Sequence, residues 1–123
     1  MHVLVVDSNV VFAKKVGEFI TQHLKKADVD YATNVPVLRR RLKHNHYDFI
    51  IADIFTAFDA KAMQQVLRAV EIPMVVWSVL ESPDRITGVF RDNLAKRVVL
   101  KPDTDEELEK TMTSVSSMLQ PVG

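Results

Sequence analysis

Apolar residues along this chain come in two alternating rhythms. Short runs of about five, with V/I/L in succession, predict buried strands, and longer segments with apolar positions every three or four residues predict helices. HVLVV at 2–6 is apolar after its first residue, the composition of a parallel strand covered on both faces. From 9 to 26 the pattern turns helical: Phe12, Val16, Phe19 with Ile20, and Leu24 share one stripe, opposite Lys14, Lys15, Glu18, Gln22 and Lys25. Residues 29–32 predict a shorter, more polar strand, which belongs at a sheet edge.

The alternation continues to the end of the chain. Asn34 can cap a helix reaching Asn45, with Val35, Leu38 and Leu42 inward and Arg39, Arg40, Arg41 and Lys43 outward. Strand three covers 49–52, and a helix over 60–69 turns Met63, Val66 and Leu67 to the core. Ile72-Pro73 leads into strand four at 74–77. Ser82-Pro83-Asp84 is a helix start, with a capping hydroxyl, proline in the first turn and an acid near the positive end of the dipole; that helix should reach about Asn93. Strand five is 98–100, and Thr104-Asp105-Glu106-Glu107 is a capping box opening a last helix to about Leu119, with 120–123 as a frayed tail.

Five strands alternating with five helices predict a doubly wound α/β fold with a five-stranded parallel sheet. Right-handed crossovers leave few topologies, of which the flavodoxin-like order 2-1-3-4-5 is common at this size. Strands one and three then adjoin at the switch point, where ligands bind beyond the carboxyl ends of the strands.

Composition narrows the function by exclusion. At 123 residues the chain is expected to be one domain. Sixteen Asp and Glu balance sixteen Lys and Arg, so net charge gives no reason to expect nucleic acid or a membrane as partner. Cysteine is absent, which removes disulfides, thiolate metal sites and thiol nucleophiles. With no signal segment and no apolar run near the ~18 residues of a membrane span, a soluble, cytoplasmic domain is the expectation.

Chemistry gathers at the strand ends. Strand one runs into Asp7, strand three into Asp53, strand four into Ser78 and strand five into Lys101-Pro102. Parallel neighbours would bring two acids, a hydroxyl and an ammonium to one sheet edge. Two carboxylates there can hold a hard cation such as Mg²⁺, and one of them can attack phosphorus to give an aspartyl phosphate. Lys101 suits the equatorial oxygens of a phosphoryl group, and the Ser78 hydroxyl can donate to another. Asp53, on the central strand, is the better nucleophile, which leaves Asp7 as the metal-side acid. Asp7 also has a purely structural reading, since an Asp after a strand often forms a turn and Ser8-Asn9 can cap the first helix.

VVDSN, FIIAD, VVWSV and VVLKP, in this order and spacing, resemble the receiver domain of two-component response regulators over essentially the whole chain. The resemblance implies a protein that is not an enzyme beyond self-catalysed phosphorylation and dephosphorylation. It implies that Asp53 is phosphorylated by a histidine kinase or phosphotransfer protein with Mg²⁺, and that Lys101 and Ser78 serve the phosphoryl group. Asp7, Asp53 and the backbone carbonyl of Phe55 would hold the metal. The Lys101-Pro102 bond would be cis. Output would pass to a downstream protein through the face made by the helix from Ser82, strand five and the last helix.

Three departures from the family pattern stand out. Ser8 occupies the place of a second acid, so Mg²⁺ should bind weakly. The loop Ile54-Phe55-Thr56-Ala57-Phe58-Asp59-Ala60 lacks the usual Pro and Gly. Val98 stands where an aromatic switch residue is usual. These departures define the alternative, a degenerate receiver that binds partners without phosphorylation. A cofactor carrier or hydrolase on this fold would need a phosphate loop after strand one or a G-x-S-x-G elbow, and the sequence has neither.

Other signals read as structure. Arg39, Arg40 and Arg41 spread round a helix as a solvated face, and His44 and His46 lack further ligands. Trp77, Met63 and Met74 fit the core. Phe55 and Phe58, in the loop beside the site, suit either a partner surface or packing back onto the core.

Overall fold

The computed structural model describes residues 1–24, 26–53, 59–78 and 96–119. Its sheet has five parallel strands, β1 (His2–Val6), β2 (Asp28–Ala32), β3 (Phe49–Asp53), β4 (Met74–Ser78) and β5 (Lys96–Leu100), in the order β2-β1-β3-β4-β5. Helices α1 (Val10–His23), α2 (Val35–His44) and α3 (Ala60–Arg68) follow the first three strands, and a C-terminal helix spans Asp105–Leu119. The helix expected from Ser82, the loop carrying Phe55 and Phe58, and the tail at 120–123 lie outside the described residues.

Alternation of side chains along each strand divides the core into two layers. Leu4, Val6, Ile50, Ala52, Met74 and Val76 face α2 and α3, where Leu38, Met63 and Leu67 meet them. Val3, Val5, Phe49, Ile51, Val75 and Trp77 face the other way, against Ala13, Val16 and Ile20 of α1 and Leu108, Met112 and Val115 of the C-terminal helix. Both faces of β1 and β3 are therefore buried, as their unbroken apolar composition requires. Full burial of each such Leu, Ile or Val contributes roughly 1.5–3 kcal/mol.

Helix starts follow their capping residues. The Asn9 side chain accepts from the Phe12 N–H at 3.1 Å, that of Asn34 from Val37 at 3.0 Å, and Thr104 Oγ1 from Glu107 at 3.1 Å. Asp59 Oδ2 accepts the Val35 N–H at 3.0 Å and so ties the start of α3 to the start of α2.

Two boundaries differ from the sequence expectation by more than one residue. Helix α1 stops at His23 rather than Lys26, because the Ala27 N–H turns to the Leu24 carbonyl and the Asp28 N–H to Met1, which starts β2. Strand β5 begins at Lys96 rather than Val98, since Met74 and Val75 of β4 pair with Lys96 and Arg97. Polar edge residues join a ladder through their backbone, which hydropathy does not register.

The far end of the sheet carries a polar cluster. Asp30 Oδ2 accepts from the Tyr47 hydroxyl at 2.7 Å and lies 2.8 Å from His2 Nε2. Burial works against the Asp30 carboxylate, but the bonds to Tyr47 and His2 outweigh it and hold its pKa below the ordinary value. Arg41 does not point outward with Arg39 and Arg40: its Nε donates to the Tyr31 carbonyl at 3.3 Å.

Candidate phosphoryl-transfer site

The register of the sheet brings the acids together. Val6 of β1 pairs with Ala52 of β3, so the next residue on each strand, Asp7 and Asp53, emerges at the same level of the carboxyl edge. Asp53 in turn stands opposite Trp77 on β4, and β5 beyond it ends one residue before Lys101. Each acid is only 1% exposed.

Lys101 joins them. Its Nζ donates to Asp53 Oδ2 at 2.7 Å and to Asp7 Oδ2 at 3.0 Å, with the lysine side chain 14% exposed. Burial opposes the ammonium, but the hydrogen bonds to Asp53 and Asp7 outweigh it, so the lysine pKa stands above its ordinary value. Burial pushes the Asp7 carboxyl up, against the pull of the Asn9 N–H and of Lys101. Among the described residues, two carboxylates face one ammonium here, an arrangement that suits a further cation.

Asp7 forms the turn that its structural reading expects and also faces Lys101. Its Oδ1 accepts the Asn9 N–H at 2.8 Å, forming a turn into α1, while its Oδ2 faces Lys101. Asn9 thus orients the acid as well as capping the helix. Capping preference pointed to Asn9, and the turn-forming habit of an Asp after a strand pointed to the bond it makes with Asp7.

Phe12 is the second group missed from sequence. The Lys101 Nζ sits over its ring, 4.4 Å from the centroid, and the ring meets Trp77 edge-on at 5.8 Å and 80°. Its place on the apolar stripe of α1 gave Phe12 a packing role alone.

Ser78 closes β4, paired with Leu100, so its backbone stands between the strand of Asp53 and that of Lys101. Its hydroxyl, like Phe55, lies outside the described residues. The peptide joining Lys101 to Pro102 is trans, which corrects the cis expectation; trans is the intrinsically favoured X–Pro form, and Lys101 reaches both acids with it. Among the described residues no group of three His, Cys, Asp or Glu could hold a metal. The buried pair Asp7 and Asp53 nevertheless suits Mg²⁺, which needs one or two carboxylates and completes its shell with water and phosphate. No helix of the described residues is long and apolar enough to cross a membrane.

No family model and no curated protein matches the sequence. Solved structures do match. A two-component response regulator from Clostridium difficile superposes with a TM-score of 0.72 at 16% identity, over 98% of this chain and 99% of that one. A response regulator from Thermotoga maritima gives 0.68 at 18% identity, over 94% and 97%. The Francisella response regulator 1452 receiver domain gives 0.62 at 21% identity, over 97% and 98%. The chain has the fold of a response regulator receiver domain.

Proposed function

We propose that this protein is a receiver in two-component signalling that takes a phosphoryl group on Asp53 from a phosphohistidine of a histidine kinase or phosphotransfer protein. The observation that carries the reading is the buried Asp7–Lys101–Asp53 bridge at the carboxyl edge of the sheet. In the transfer a carboxylate oxygen of Asp53 forms the new O–P bond as the P–N bond to the donor histidine breaks. The imidazole keeps the electron pair of that bond and takes up a proton. Lys101 neutralises the phosphoryl oxygens, and the Ser78 hydroxyl donates to another of them.

Mg²⁺ belongs to this reading, held by Asp7, Asp53 and the Phe55 carbonyl, and would supply further positive charge at the phosphoryl group. Ser8 contributes no carboxylate, so the affinity is weak. A change at Asp53 then alters the surface offered to a downstream protein by the helix expected from Ser82, β5 and the C-terminal helix. With Val98 in place of a ring, that coupling does not use an aromatic swing at this position.

Intact mass after incubation with acetyl phosphate tests the reading. A phosphate-sized adduct on the wild type that depends on Mg²⁺ and is absent from Asp53→Ala is the expected result. No adduct at millimolar Mg²⁺, and no binding of a beryllofluoride mimic, would leave a phosphorylation-independent binding module.

A further inference from the structure

The bridge between the acids leaves one question of geometry. Lysine is a flexible chain ending in a compact charge, and nothing in the side chain itself holds the ammonium midway between two carboxylates. Phe12 lies under that ammonium, with Nζ 4.4 Å from its ring centroid, and the ring is only half-buried. A core residue of α1 would do as well with an aliphatic side chain; the electron-rich ring face is what an aliphatic residue lacks.

Trp77 supports that ring. It is fully buried in the layer between the sheet and α1, and its edge-on contact with Phe12 sets the tilt of the phenyl group. Its Nε1 is buried with no hydrogen-bond partner among the described residues, a cost that a smaller apolar residue would avoid. The indole packs in the core layer and meets the ring that lies under Lys101.

We propose that Phe12 is a positioning residue for Lys101, holding the ammonium at the midpoint of the Asp7–Asp53 pair through its ring face, with Trp77 bracing the ring. An ammonium has three N–H donors, and Asp7 and Asp53 take one each. Attraction to a ring face needs no particular N–H, so Phe12 anchors the charge while a donor stays available for an incoming phosphoryl oxygen. The kinetic consequence rests on the receiver reading; the positioning does not.

Two measurements separate these. In the NMR spectrum of the wild type, the ε-methylene protons of Lys101 should be shifted upfield by the ring current of Phe12. Phe12→Leu, which keeps the apolar volume, should abolish the shift, and Phe12→Tyr, which keeps the ring face, should retain it. An unshifted Lys101 methylene in the wild type overturns the proposal without any variant. The rate of phosphorylation by acetyl phosphate should fall about two- to tenfold in Phe12→Leu and recover in Phe12→Tyr. Equal rates for wild type and Phe12→Leu, with the ring-current shift present, would show a contact without a positioning role. A wild type that takes no phosphoryl group overturns the receiver reading, and the chemical shifts alone then decide the position of Lys101.

Discussion

Lys101 reaches Asp53 from two strands away, its Nζ 2.7 Å from Oδ2, with β4 lying between their strands in the sheet. The pair closes the carboxyl edge of the sheet at a point where both acids are shut off from solvent. Removing the ammonium would leave Asp7 and Asp53 buried and facing each other. Lys101→Met should therefore cost about 3 kcal/mol of stability at pH 7. Burial already holds the Asp7 carboxyl above its ordinary value, and losing the ammonium would raise it further, a stability contribution present at low pH and lost as pH rises. The deficit against wild type should shrink on acidification from pH 7 to pH 5. Thermal melts at the two pH values measure it, and a deficit independent of pH would count against the shared bridge.

Asp7 carries the cost of burial at neutral pH. Its folded pKa lies above the ordinary 3.8, so its favourable contribution is complete below that value and disappears as pH rises through the raised one. Asp7→Asn removes the surplus charge and leaves Lys101 with Asp53. We expect Tm at pH 7 to rise by about 2–5 °C, with the gain vanishing below about pH 4, while phosphorylation by acetyl phosphate falls at least about tenfold. A lower Tm at pH 7 would contradict this account.

Ser8 follows Asp7 on the solvent side and is exposed. A carboxylate there adds a third hard donor charge next to the pair. Ser8→Asp should tighten Mg²⁺ binding by about tenfold or more, measured by calorimetric titration. Unchanged affinity would mean that Ser8 does not face the metal.

Gly17 is needed for a close approach. A Cβ at this position would collide with the Tyr31 hydroxyl and ring of β2. Alanine gains up to about 1 kcal/mol over glycine within a helix, so the clash should leave Gly17→Ala destabilised by about 1 kcal/mol net, and Tyr31→Ala in the same chain should relieve it. Chemical denaturation of the two single variants and the double variant reads the coupling; strict additivity would show that the contact is not the cause.

Much of the fold was legible because its determinants are local. Apolar runs with V, I and L in succession specify β1, β3 and β4, and Asn9, Asn34 and Thr104 mark helix starts by side-chain capping alone. The ends of α1 and β5 were misread because they depend on pairing partners far along the chain: Met1 for Asp28, Met74 and Val75 for Lys96 and Arg97. Hydropathy carries no record of such partners.

Residue type and period are properties of short segments, and they suffice for the strand-helix alternation and for the kinds of groups at the strand ends, Asp7, Asp53, Ser78 and Lys101. That Lys101 spans both acids and that Phe12 lies beneath the ammonium are relations of the folded chain. Those relations join residues as much as 94 positions apart, and they exist because parallel register brings distant strand ends to one level and α1 packs its stripe across the sheet toward β4.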